Sequence, residues 1–219
     1  DLGLNYTARH SASEEQFNRA LTCYLASETN TMAILDELLA NDPDMPMATI
    51  FKGCLMKLAA DPRLDKAIQR TFQNVSRQKD LNHREVMHCE ALGFWSTNQM
   101  DKASNTYDQL IQNYPKDMLA LRVAHYLHFY GKGGEAMVKS LAPAISAWEP
   151  EDPFYGYLQG MTSFALEELG DYREAERSGY KALNINGADI WAAHAVIHVM
   201  QMQGRFQEGI KTIESLQEN

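Results

Sequence analysis

A turn former followed five residues later by a small residue occurs four times in the chain, and this recurrence constrains the fold more than any other feature. The pairs are Asn98 with Ala103, Gly131 with Ala136, Gly170 with Ala175 and Gly204 with Gly209. Their turn formers are separated by 33, 39 and 34 residues. Self-similarity at such a period marks stacked supersecondary units, each unable to bury its apolar face alone. Overlaying the segments aligns further positions. Seven residues before the turn stand Ala91, Ala124, Ser163 and Ile197, and four before it stand Phe94, Leu127, Leu166 and Met200. Small residues let a partner helix approach, and the larger ones fill the space between.

A period of about 34 residues is that of tetratricopeptide helix pairs. The run Leu169-Gly170-Asp171-Tyr172-Arg173-Glu174-Ala175-Glu176 is the clearest single match, and Tyr107 and Pro115 fit the aromatic and helix-ending positions of that pattern. The fold class is therefore all-α, a right-handed superhelix of antiparallel helix pairs. Pairs are predicted near 13–41, 46–78, 83–113, 117–148, 153–185 and 189–217, with the clearest repeats over 83–219. Residues 1–11 read as a mobile arm and 12–219 as one domain. Ser13 with Gln16 has the spacing of a capping box, Asp152-Pro153 of a cap before a first-turn proline, and Asp189 of a cap after Asn186-Gly187. Pro143, inside a predicted helix, implies a kink or a delayed start.

Composition removes several function classes. The chain has 219 residues, 45% of them hydrophobic, enough for a substantial core. Its net charge of −9 comes without a basic stripe, so nucleic acid and anionic membranes are poor partners. No apolar run reaches the length needed to span a bilayer. Cys23, Cys54 and Cys89 form neither a CxxC pair nor an even framework, which suits buried thiols in a reducing, cytoplasmic setting. No signal peptide is visible at Asp1-Leu2-Gly3. Phe206, Ile210 and Ile213 on the closing helix are expected to need cover, from a second copy or further chain.

Five of the seven histidines lie on the first helices of the last four pairs. Counting each repeat so that its turn is position fifteen, His88 and His194 share position five, His125 and His198 position nine, and His128 takes position twelve. Those positions form one stripe of a helix. Glu85, Trp95, Tyr157, Phe164, Glu167, Trp191 and Gln201 fall on the same stripe. Three readings stand open. The imidazoles are structural; or they line a groove for a peptide or for an aromatic or acidic small molecule; or they form a metal or catalytic site. For zinc or another divalent ion the candidates are His125, His194 and His198, with His88 or Glu167 as further ligands, because His194 and His198 at i, i+4 can share one ion. The segment His-Ala-Val-Ile-His lacks the glutamate of the metalloprotease helix, and there is no phosphate loop or G-x-S-x-G elbow.

Three segments, R-E-V-M-H at 84–88, K-D-M-L-A-L-R-V-A-H-Y at 116–126 and W-A-A-H-A-V-I-H-V at 191–199, resemble the tetratricopeptide repeat protein 38 family. The resemblance implies a helical-repeat superhelix whose position-five stripe lines a concave groove, with His88, His125, His194 and His198 matching family histidines. Gln201 departs from a family glutamate, and the chain stops short of a further His-x-x-Trp-His segment. The stripe also differs from grooves that grip a terminal carboxylate with Lys and Asn, since those positions hold His88, Leu121, Gly160 and His194. The preferred function is a non-enzymatic binding scaffold using a His- and aromatic-lined groove. The alternative is a His-cluster enzyme, with or without a metal, acting on a small molecule, in which His88, His125, His194 and His198 converge on one point.

Overall fold

The computed structural model of the protein describes residues 2–217. It is 76% helical, with twelve α-helices and no strand among the described residues. The first six are α1 (Ser11–Leu25), α2 (Thr31–Asn41), α3 (Pro46–Leu58), α4 (Asp65–Ser76), α5 (His83–Ser96) and α6 (Met100–Asn113). The second six are α7 (Met118–Gly131), α8 (Gly134–Ala147), α9 (Tyr155–Leu169), α10 (Tyr172–Ile185), α11 (Ile190–Met202) and α12 (Phe206–Gln217). Within the two halves of the chain, α1 packs on α2, α3 on α4, α5 on α6, α9 on α10 and α11 on α12.

Turn chemistry explains the pairing. Asn98, Gly170 and Gly204 all adopt positive φ, between +58° and +87°, at the ends of their first helices. That left-handed conformation ends a helix and turns the chain back. In the fourth pair the positive φ falls on Gly133, not on Gly131, which closes α7. Counted from Gly133, the turn stands 35 residues after Asn98 and 37 before Gly170, so this two-residue shift in register accounts for part of the unevenness of 33 and 39. Ala136 is accordingly only half-buried, whereas Ala103 and Ala175 are sealed.

The caps follow the sequence in part. Asp189 Oδ1 accepts from the backbone N–H of Trp191 and Ala192, as its position predicts. Ser13 is not a cap. Helix α1 begins two residues earlier, and the Ser13 hydroxyl donates instead to Asp42 Oδ2 at 2.8 Å. A capping box forms at Asn82 and Glu85. Asp152 accepts from Glu149 N in the turn before α9, which starts at Tyr155 and not at Pro153. Helix α8 runs through Pro143 without a delayed start.

The helices form two compact units, 1–127 and 128–219, with the boundary inside α7. In the first unit the aromatic core is Phe17, Phe51 and Tyr24, with Phe51 edge-on to both others. Residues 2–10, expected to be mobile, are held as a strap. Thr7 donates through N and Oγ1 to Glu85 at 2.7 Å. Asn5 O accepts from Arg84 Nη2, the Tyr6 ring lies 4.5 Å from the Arg84 guanidinium and packs on Phe17, and Arg9 N donates to Asp42 Oδ2. The apolar stem of this arm is too short to read as a helix or strand, and only its fixed partners order it. In the second unit α9 packs on α8, α10 and α11, and α11 on α12. Phe206, Ile210 and Ile213 of α12 are exposed. Cys23, Cys54 and Cys89 are free thiols and buried.

Candidate functional site

The stripe divides between two environments. In the first unit it is sealed. His88 is fully buried, its Nε2 2.8 Å from Asp117 Oδ2, and Tyr107 of α6 meets its ring edge-on at 5.7 Å. The same Oδ2 accepts from Arg84 Nη1 at 2.8 Å, and Asp117 Oδ1 caps α7 by accepting from Ala120 N. Burial alone would raise the Asp117 carboxyl. The nearby His88 and Arg84, with the hydrogen bonds from His88 and Ala120 N, outweigh it and hold the group well below the usual carboxylate range. His88 is thus committed to a buried ion-pair network and is not a groove ligand. The network depends on Asp117, which no periodicity in the sequence connects with position 88.

His125 and His128 on α7 are buried as well, as is Trp95, and none of the three presents an open surface. Trp95 packs 5.9 Å from the Tyr126 ring and, with it, lines a cavity of about 300 Å³ shared with Met56, Lys57 and Pro62. A second cavity, about 410 Å³, lies in the other unit among Gln159, Arg177, Ser178, Tyr180, Lys181 and Asn184. No histidine lines either one.

In the second unit the stripe reaches solvent, and local packing explains where. Ala192, Ala195, Val196, Val199 and Met200 make the buried face of α11. That spacing leaves Trp191, His194 and His198 on the opposite face. Two glycines set how closely the helices meet. A Cβ at Gly160 would stand 2.8 Å from Asp189 Oδ2 and 3.3 Å from the Ala192 Cβ, so only glycine lets the capped start of α11 seat on α9. At Gly179 a Cβ would fall 2.3 Å from Val196 Cγ2, which forces the same choice where α10 meets α11.

Seated in this way, α9 and α11 face each other side chain to side chain. Phe164 lies 5.9 Å from the His194 ring, and Phe129 5.3 Å from Phe164. His194 stacks on His198 at 5.5 Å and 19°, and Trp191 meets His194 at 6.4 Å. One turn further along, His198 Nδ1 stands 2.8 Å from Glu167 Oε1. The Glu167 carboxyl is raised by burial, against a smaller downward pull from His198. His194 is lowered by burial and by its neighbour His198. Trp191 is 39% exposed and Glu167 only 4%. The arrangement is a ring-lined, half-open face with a buried carboxylate at its foot. Tyr157, at the start of α9, is half-buried.

Of the ten predicted site residues, Phe164, Glu167, Trp191, His194 and His198 come together. Glu168, which the stripe omits, joins them: ligand atoms of Glu167, Glu168 and His198 lie within 4.8 Å of one another. Its position next to Glu167 on α9 turns it about 100° away in a helical projection, and only the reach of a glutamate brings it back.

The fold is an all-α helical repeat of the tetratricopeptide-like type. Among solved structures the chain is similar to MamA, which has the same type of fold. With MamA AMB-1 the TM-score is 0.50 at 16% identity, covering 79% of this chain and 90% of that one. With a mutant of MamA it is 0.49 at 16% identity, covering 79% and 96%. No protein-family profile matches the chain. No helix among the described residues is long and apolar enough to cross a membrane.

Proposed function

We propose that the protein is a helical-repeat binding scaffold that docks an aromatic- or apolar-anchored peptide or small molecule on the α9–α11 face. The observation that carries this is the continuous set of rings, Phe129, Phe164, His194, His198 and Trp191, of which Trp191 and His194 are exposed. Aromatic side chains at a half-open face offer large contact area at small entropy cost, and binding hot spots are enriched in them. MamA supports the reading only as a fold. Membership of the tetratricopeptide repeat protein 38 family is part of the same proposal and rests on the segments 84–88, 116–126 and 191–199.

The groove of this proposal is narrower than the sequence stripe. His88, His125, His128 and Trp95 contribute to the folded core, and a catalytic site converging on His88 and His125 is not supported by their burial.

The test is a defined peptide library and a fragment set screened by ligand-observed NMR, with Trp191 fluorescence as a second readout. Ligands with aromatic anchors are expected to bind, and Trp191→Ala and His194→Ala each to weaken them by about tenfold or more, the scale of a hot-spot loss. Ligands whose affinity survives both substitutions, or preference for acidic C-terminal peptides without aromatic anchors, would sink the proposal.

A further inference from the structure

We propose that Glu167, Glu168 and His198 form a binding site for a first-row divalent cation of the zinc type. Their donor atoms lie within 4.8 Å of one another, one imidazole and two carboxylates from α9 and α11. An imidazole with carboxylates is a donor set that zinc accepts at about 2.0–2.2 Å. A second, independent observation points the same way. Glu167 is 4% exposed, and its Oε2 has no hydrogen-bond partner. A buried carboxylate oxygen without a partner costs stability, and such groups in a folded protein call for an explanation. A cation supplies it, by giving that carboxylate a charge to bind.

The geometry assigns each donor a part. Glu167 is the fixed, buried ligand at the base. His198 Nδ1 already stands 2.8 Å from Glu167 Oε1, close enough for one cation to bind both. Glu168 is exposed, and it closes the set from the rim. Zinc sites with three protein ligands keep an open position, and here that position would face the half-open side of the cluster. His194 stacks on His198 but stands outside the donor set, and buried His125 is no part of it. The site therefore differs from the three-imidazole set that the sequence suggests. It goes beyond the docking proposal and does not depend on it.

The experiment uses the full chain freed of metal by a chelator, with zinc chloride alone as the probe in isothermal titration and Co²⁺ visible absorption as a second readout. One equivalent is expected to bind and to raise the melting temperature, since a ligand of the native state stabilises it. Glu167→Gln and His198→Ala should each weaken binding at least about tenfold, because loss of even an outer-shell group costs that much. Glu168→Gln should weaken it too, while Trp191→Ala and His194→Ala leave it in place. Glu167→Gln also guards against misfolding as the cause, for its melting temperature without metal should not fall, the buried charge being already unfavourable. No saturable binding, or affinity that survives both Glu167→Gln and His198→Ala, overturns the proposal. Binding lost in His194→Ala but kept in Glu168→Gln overturns it as well, by moving the ion to the i, i+4 imidazole pair.

Discussion

Asp117→Ala should be among the most damaging substitutions in the first unit, and the contacts give its size. The carboxylate holds Arg84 and His88 through one oxygen and the start of α7 through the other, with all three residues almost completely buried. Removing one partner of a buried ion pair costs about 3–5 kcal/mol, because the remaining charge is left without compensation. Losing the cap adds about 1 kcal/mol. The total, about 4–6 kcal/mol, is a large fraction of the ~5–15 kcal/mol that typically holds a domain together. With a urea slope near 3 kcal/mol/M, the midpoint should drop by about 1.3–2 M. Far-UV circular dichroism follows the transition, and hydrogen exchange of α5 and α7 peptides assigns it to the first unit. Adding Arg84→Met provides the internal control. It removes the stranded cation, so the double variant should be more stable than the two separate losses imply, by about 0.5–3 kcal/mol. A loss below about 1 kcal/mol for Asp117→Ala, or strict additivity with Arg84→Met, would refute the reasoning.

The same carboxyl sets an acid limit. Its folded-state pKa lies below the unfolded value of about 3.9, so its contribution is complete above that pH and is lost as pH falls toward the folded value. Urea midpoints measured between about pH 2 and 6 should fall steeply below about pH 4, and less steeply in Asp117→Ala; identical acid limbs would contradict the assignment. Glu85→Ala should release the strap, since the buried carboxylate accepts from Thr7 N, Thr7 Oγ1 and Asn82 N. Charge-assisted hydrogen bonds are worth about 1.5–3 kcal/mol each, though not additively, and amides of residues 5–9 should exchange much faster. Unchanged protection there would show that Tyr6 and Arg9 suffice to hold the segment.

The architecture was legible because it is local. A turn former at Asn98, Gly170 and Gly204 fixes where a helix ends, and a small residue five places on fixes how its partner docks. The exception, Gly133 in place of Gly131, was hidden because the sequence offers Gly131, Gly133 and Gly134 together, and only packing decides which one turns. The site was half legible. Helical spacing placed Trp191, His194 and His198 on one face of α11, opposite its buried alanines and valines. It assigned His88 the same role, because nothing at position 88 foretells that Asp117, 29 residues on, will claim its ring. Glu168 was missed for the opposite reason. Helical projection counts directions, not the length of a side chain.

The strap changes what kind of object the first unit is. Stacked helix pairs interact with near neighbours and can fray from either end. Thr7 and Asn5, however, bond to residues 77–79 positions away. Joining such distant points costs little more in chain entropy than joining near ones, since the cost grows only with the logarithm of the loop. The open ladder becomes a closed ring, which should melt as one block and not rung by rung. During synthesis, residues 5–7 must also wait for α5 to emerge before they can settle.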